Sequence, residues 1–295
     1  MNNKLIEVVK KRNLHPKAYK KLNNVYVIDD GNKKYVFKLD TNNYDIYKYL
    51  VSRDFLFFPE NYSYIDDDFD LSLYIDGLNI SDVQKINDYI KIIAILHHKT
   101  SYNRQIDLDE IKEKYESFSN QVNNLRKYYL ALNEEMEHEL FLSPSKYLLL
   151  RNISLIYQIL DNIENIINDV YSSIKNEKSM RFSLIHNNTD LEHLIINKEN
   201  YLISWDKAYF DSPIIEINSI FRKYYEKIDL ADLLKIYENI NKLTILEKKI
   251  LLIYLGIPKE ITMTNDIYLD TKIINNELKY LNKVYELLIK DKNEK

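Results

Sequence analysis

The chain has 295 residues, of which 45% are hydrophobic, a net charge of −4 at neutral pH and no cysteine. These values fit a globular protein of one large domain or two packed lobes, and they exclude wholesale disorder, disulfide stapling and thiol chemistry. Acids and bases are spread along the whole sequence and no stretch reaches the length of a membrane span, so neither a nucleic-acid footprint nor a membrane anchor is expected.

Glycine occurs only three times, at Gly31, Gly77 and Gly256, whereas tyrosine occurs 26 times. A phosphate cradle built from flexible backbone needs several glycines close together, and no such cluster is present. The opening MNNKLIEVVKKRNLHPK has no long apolar core, so no secretory signal is expected and a cytoplasmic setting is the default.

In chain order, Asn24 to Asp40 reads NVYVIDDGNKKYVFKLD. Two alternating runs flank Asp30-Gly31, which predicts a β-hairpin with a tight turn and places Lys38 near the end of its second strand. The alternation sets Lys38 with Val36, away from Tyr35 and Phe37. Lys38 either points into a cleft or is one of many solvated lysines on an edge strand. Asn42 or Asn43 then caps a short helix with Ile46, Tyr49 and Leu50 on one face. The segment YSYIDDDFDLSLYIDGLNI predicts a second hairpin turning around Asp66 to Asp68.

Helices dominate after Ser81. The SDVQ capping pattern opens one that carries Val83, Ile86, Ile90, Ile93 and Leu96 at helical spacing. A second holds Ile111, Tyr115, Phe118, Val122, Leu125, Tyr129 and Leu132. Ser143-Pro144 is a helix start with cap and first-turn proline, and Ile153, Ile156, Leu160, Ile163, Ile167, Val170 and Ile174 mark the long helix behind it. Short strand-like runs return from Phe182 to Trp205. The chain is then helical from Ile214 onward, with a capping box at Thr244 (TILE) and a last helix from about Asp266 to Lys290. The expected organisation is a β-rich lobe over 1–79 and a helical lobe over 80–295 that holds a strand-loop-strand module at 184–217.

The module carries the chemistry-bearing residues: LIHNNTDLEHLII followed by ISWDKAYFDSPIIEI. Together with a lysine on an early strand, this layout resembles the kinase-like aminoglycoside and choline phosphotransferases, whose signature runs roughly H-G-D-L-H-x-x-N-I-L and then I-D-W-E. Within that branch the chain most resembles the CotS-type spore-coat proteins of Firmicutes, which share the long helical insertion before the loop. The resemblance implies a two-lobed α+β protein-kinase-like fold. It puts His186 at the first histidine of the loop and Asn188 at the catalytic aspartate. His193 falls at the metal-binding asparagine and Ser204 at the metal-binding aspartate. Trp205 and Asp206 match the W-E pair, and Glu216 falls on an aspartate that braces the loop. Lys38 takes the place of the nucleotide lysine, with Asp45 as the only acid in the early helix to partner it.

ATP and a divalent ion are the cofactors this resemblance implies, but the seats for them are altered. Phosphoryl transfer is mainly positioning and charge neutralisation around Mg²⁺. The amide of Asn188 cannot act as a base. Mg²⁺ prefers hard oxygen ligands, and Ser204 and His193 are poor exchanges for them. If residues 204–206 are extended, Asp206 points to the side of Ser204. A His193/Asp206 pair would then suit Mn²⁺ or Zn²⁺ better than Mg²⁺.

Other readings stand beside these. His186 reads as a hydrogen-bonded structural histidine and His193 as either a polar loop residue or a cleft-lining one. Trp205 reads as core, and His97-His98 as the end of an amphipathic helix. Three functions follow. The first is a pseudokinase acting by binding other spore-coat or cytoplasmic proteins, in spore-coat assembly if the CotS likeness holds. The second is an active small-molecule phosphotransferase with an unusual metal site, and the third a nucleotide or metabolite sensor.

Overall fold

The protein is described by a computed structural model covering residues 8–22, 25–39, 41–264 and 266–293, with side chains described as far as 289. Asn24 and Asp40, the ends of the first expected hairpin segment, lie outside the described residues. The chain forms two compact units: Met1–Ser101 with Ser183–Phe210, and Tyr102–Phe182 with Asp211–Lys295.

The first unit is built on a four-stranded antiparallel sheet of β1 (Ala18–Leu22), β2 (Val25–Asp29), β3 (Lys34–Leu39) and β4 (Phe69–Leu73), in that order. Alternation in β2 and β3 sends Ile28, Tyr35 and Phe37 to one face. They join Val8, Phe69 and Leu71 there in an apolar cluster. The expected β2–β3 hairpin forms, with residues 30–33 in a tight turn closed by the Asp30 amide donating to the Lys33 carbonyl. Asp30 Oδ1 accepts from the amides of Asn32 and Lys33, and Gly31 sits at φ +91°, where a Cβ is disfavoured. The expected second hairpin is corrected. Only β4 is a strand, and its presumed partner arm meets it at a single bridge, Asn61 to Ser72. Asn61 and Ser63 spend their side chains on Asp70 instead of extending the ladder.

Helix α1 (Tyr44–Ser52) follows β3 and buries Tyr47 and Leu50 rather than the expected Ile46 and Tyr49. The Tyr47 hydroxyl turns that face inward by donating to Asp70. Helix α2 (Asp82–Thr100) begins at Ser81, whose hydroxyl accepts from the Gln84 amide, a contact worth about 1 kcal/mol. The other half of the expected capping box is absent, because Gln84 bonds Asp88 instead. Helix α2 runs past His97, which is fully buried, and packs on the Leu191–His193 turn and β7 (Leu194–Ile196). β7 pairs antiparallel with β8 (Asn200–Leu202).

The second unit is mostly helical: α3 (Leu108–Glu137), α4 (Pro144–Ile174), α5 (Pro213–Tyr224), α6 (Leu230–Glu238), α7 (Ile245–Gly256) and α8 (Ile267–Asn293). α4 is the central member and packs against α3, α7 and α8. It starts as its sequence predicts, with Pro144 in the first turn and Ser143 capping the Lys146 amide. Gly256 lets α7 close on α4, since a Cβ there would lie 2.2 Å from Ile163 Cδ1. The Thr244 capping box forms in full: Thr244 Oγ1 accepts from the Glu247 amide and Glu247 accepts from the Thr244 amide. A short ladder of β5 (Tyr102–Gln105) with β6 (Ser179–Ile185) completes this part, and β6 carries the chain toward His186.

Candidate functional site

Most of the residues singled out by the sequence lie in the first unit, on two short segments, 186–193 and 203–206, and on β3, with Asp45 on α1, whereas Glu216 belongs to the second unit. β6 delivers the first segment. His186 follows its last residue and is fully buried. Its Nε2 lies 2.9 Å from the Ile203 carbonyl, which only accepts, so Nε2 carries the proton. The ring stands edge-on to Trp205 at 4.8 Å between centroids. Trp205 is itself fully buried, packs edge-on against Phe55 and donates Nε1–H to the Leu202 carbonyl. His186 therefore ties one segment to the other and has no solvent face for proton transfer.

Asn188 is also buried, at 5% exposure. Asn187 before it is left-handed, at φ 54°. The Asn188 carboxamide donates Nδ2–H to the Ser204 carbonyl at 3.2 Å, and its own backbone carbonyl accepts from the Tyr89 hydroxyl of α2 at 3.3 Å. A third tie runs from the Ile203 amide to the His193 carbonyl at 2.9 Å. Ser204 adopts φ 65°, ψ 65°, and residues Trp205–Lys207 form a 3₁₀ turn. The expectation of an extended 204–206 segment is thus corrected. A left-handed residue followed by a tight turn, not strand alternation, sets where Asp206 points.

Asp206 points at β3. Lys38 Nζ lies 3.0 Å from Asp206 Oδ1, with both side chains about one-third exposed (28% and 32%). Burial works to raise the Asp206 pKa, but the hydrogen bond and charge of Lys38 outweigh it and hold the carboxyl below its usual range. Asp45 is exposed in the first turn of α1 and forms no ion pair with Lys38. The lysine's partner is therefore Asp206, 168 positions further along the chain. His193 is half-buried. Desolvation pushes its pKa down, and the negative charges of Asp190 and Asp206 only partly oppose this. Among the described residues no group of three or more His, Asp or Glu side chains is arranged to hold a metal ion.

One polar centre was not foreseen. Asp70 lies opposite Lys38 in the β3–β4 register and is 9% exposed. It accepts from Asn43 Nδ2 (3.1 Å), Tyr47 Oη (3.3 Å), Asn61 Nδ2 (2.6 Å) and Ser63 Oγ (2.9 Å). Four donors offset the cost of burying the carboxylate. Burial, then the charge of Asp70, then that of Asp206 drive the Tyr47 hydroxyl well above its ordinary pKa, so it stays a donor. In sequence Asp70 is one acid in a run of four in DDDFD. Only the strand register reveals its position.

Glu216 belongs to the second unit, where it is fully buried in the first turn of α5. The positive end of the helix dipole favours a carboxylate there.

No protein-family model matches the sequence, and neither does any curated protein. Solved structures do match. An aminoglycoside phosphotransferase from Alicyclobacillus acidocaldarius aligns with a TM-score of 0.64 at 13% identity, covering 95% of this chain and 90% of that one. A spectinomycin phosphotransferase in an AMP-bound complex aligns with a TM-score of 0.52 at 14% identity, covering 97% and 92%. Choline kinase LicA from Streptococcus pneumoniae aligns with a TM-score of 0.50 at 15% identity, covering 96% and 98%. At such identities the likeness is one of fold: a small antiparallel-sheet lobe and a large helical part, the kinase-like architecture shared by aminoglycoside phosphotransferases and choline kinases.

Proposed function

We propose that this chain is a kinase-like phosphotransferase relative that has given up phosphoryl transfer and acts by binding other proteins. The observation that carries this reading is Asn188. A buried carboxamide, with its nitrogen committed to a backbone carbonyl, occupies the position that the resemblance assigns to the carboxylate base. Two further features support it. Ser204 supplies no carboxylate for a metal. Lys38, the residue that resemblance assigns to the nucleotide, is engaged by Asp206. The narrower part of the reading is a role among spore-coat proteins or other cytoplasmic partners, and it rests on the CotS resemblance alone.

A second reading has its own support. Asp206 faces Lys38 and lies close enough to His193 to act on its pKa, so the carboxylate lost at 204 has a counterpart two residues on. An active phosphotransferase using Mn²⁺ or Zn²⁺ at His193 and Asp206 is built from the same contacts. A third reading, a nucleotide sensor, draws on the AMP bound by the spectinomycin phosphotransferase neighbour. A thermal-shift titration with ATP, alone and with Mg²⁺ or Mn²⁺, separates the three. The non-catalytic reading predicts no shift in any arm. A metal-dependent shift abolished by Asp206→Ala supports the second reading, and a metal-independent shift supports the third.

A further inference from the structure

The two altered positions 188 and 204 are in contact, and their geometry gives them a joint task. The consecutive carbonyls of Ile203 and Ser204 are both taken by side chains of the 186–188 segment, at 2.9 Å by His186 and 3.2 Å by Asn188. Ser204 is left-handed, and the 3₁₀ turn that follows carries Asp206 to Lys38. A left-handed non-glycine residue is strained and needs outside contacts to hold it.

We propose that Asn188 is a positioning residue, the second prong of a grip on residues 203–204 that presents Asp206 to Lys38. Only a side chain that donates a hydrogen bond fits this role. An ionised aspartate at 188 accepts hydrogen bonds and cannot donate them, so it would set a carboxylate against the Ser204 carbonyl inside the fold. On this view the asparagine is a requirement of the relocated carboxylate and not a relic of a lost base. The inference goes beyond the non-catalytic reading and stands whether or not the chain turns over nucleotide.

The test uses the full chain with no ligand. Its two readouts are the melting temperature and the rate at which an amine-acylating reagent labels Lys38, scored by peptide mass mapping. Lys99, paired with the exposed Asp54, serves as internal reference. Asn188→Asp keeps the volume and, when ionised, removes the donor. It is expected to lower Tm by about 2–5 °C and to raise Lys38 labelling to the level of Asp206→Asn, with Lys99 unchanged. Ser204→Val, which resists the left-handed region, is expected to expose Lys38 as well, whereas Ser204→Gly keeps it protected. If Asn188→Asp fails to fold, Asn188→Ala carries the same labelling prediction. Wild-type labelling of Lys38 in the folded position-188 variant, or in Ser204→Val, overturns the proposal.

Discussion

His186 and Trp205 differ from His193 and Asp206 in burial, although the four lie within twenty residues of one another. The first pair is fully buried, in edge-on contact and bonded to backbone carbonyls. Of the second pair, His193 is half-buried and Asp206 meets Lys38 with a third of its side chain in solvent. Replacing a member of the first pair disturbs packing and hydrogen bonds together. Replacing Asp206 costs the fold little, because partly exposed ion pairs contribute about 0–1 kcal/mol. The contrast gives a physical reason why the buried pair constrains the fold more than the partly exposed pair does.

Four substitutions break or sharpen that contrast, and chemical denaturation reads each of them. Trp205→Ala sits at the centre of the buried pair and is expected to destabilise the chain by about 3–5 kcal/mol, through lost burial and an unfilled cavity. A loss below about 1 kcal/mol would show that the frame does not depend on it. Asn188→Asp falls between the two classes, being buried but altered in one group only, and is expected to cost about 1–3 kcal/mol. Lys38→Met and Asp206→Asn, at the exposed end, are each expected to cost less than about 1 kcal/mol. Raising the salt concentration should shrink that difference, because the pair is open to screening. A large, salt-insensitive loss at either position would erase the distinction between frame and seat.

How much of this was legible in the sequence follows the same divide. Alternation in VYVI and KYVFKL yielded the β2–β3 pair and the face on which Lys38 lies. The Ser143-Pro144 start and the Thr244 capping box are local signals, and each forms as read. β1 was missed because all five of its residues are exposed and show no alternation of burial. The second hairpin was over-read, because Asn61 and Ser63 serve Asp70 and not a ladder. Within the site, the burial of His186 and Trp205 could be anticipated from type and neighbours. The Lys38–Asp206 pair could not. It depends on a left-handed Ser204, a conformation that serine rarely adopts, and it closes over a sequence separation too long for local pattern to register. Asp45 was the only acid the early helix offered, but exposure on α1 leaves it without that role.

The claim beneath these comparisons is that the site has a donor where phosphoryl transfer needs a base. The most direct measurement is transfer from γ-labelled ATP by the purified full chain, with Mg²⁺ and with Mn²⁺, against water and a panel of small-molecule alcohols and amines. The expected result is release no faster than in the protein-free control under both ions. Sustained turnover that disappears in Asp206→Ala would contradict it and establish the relocated carboxylate as a working metal ligand.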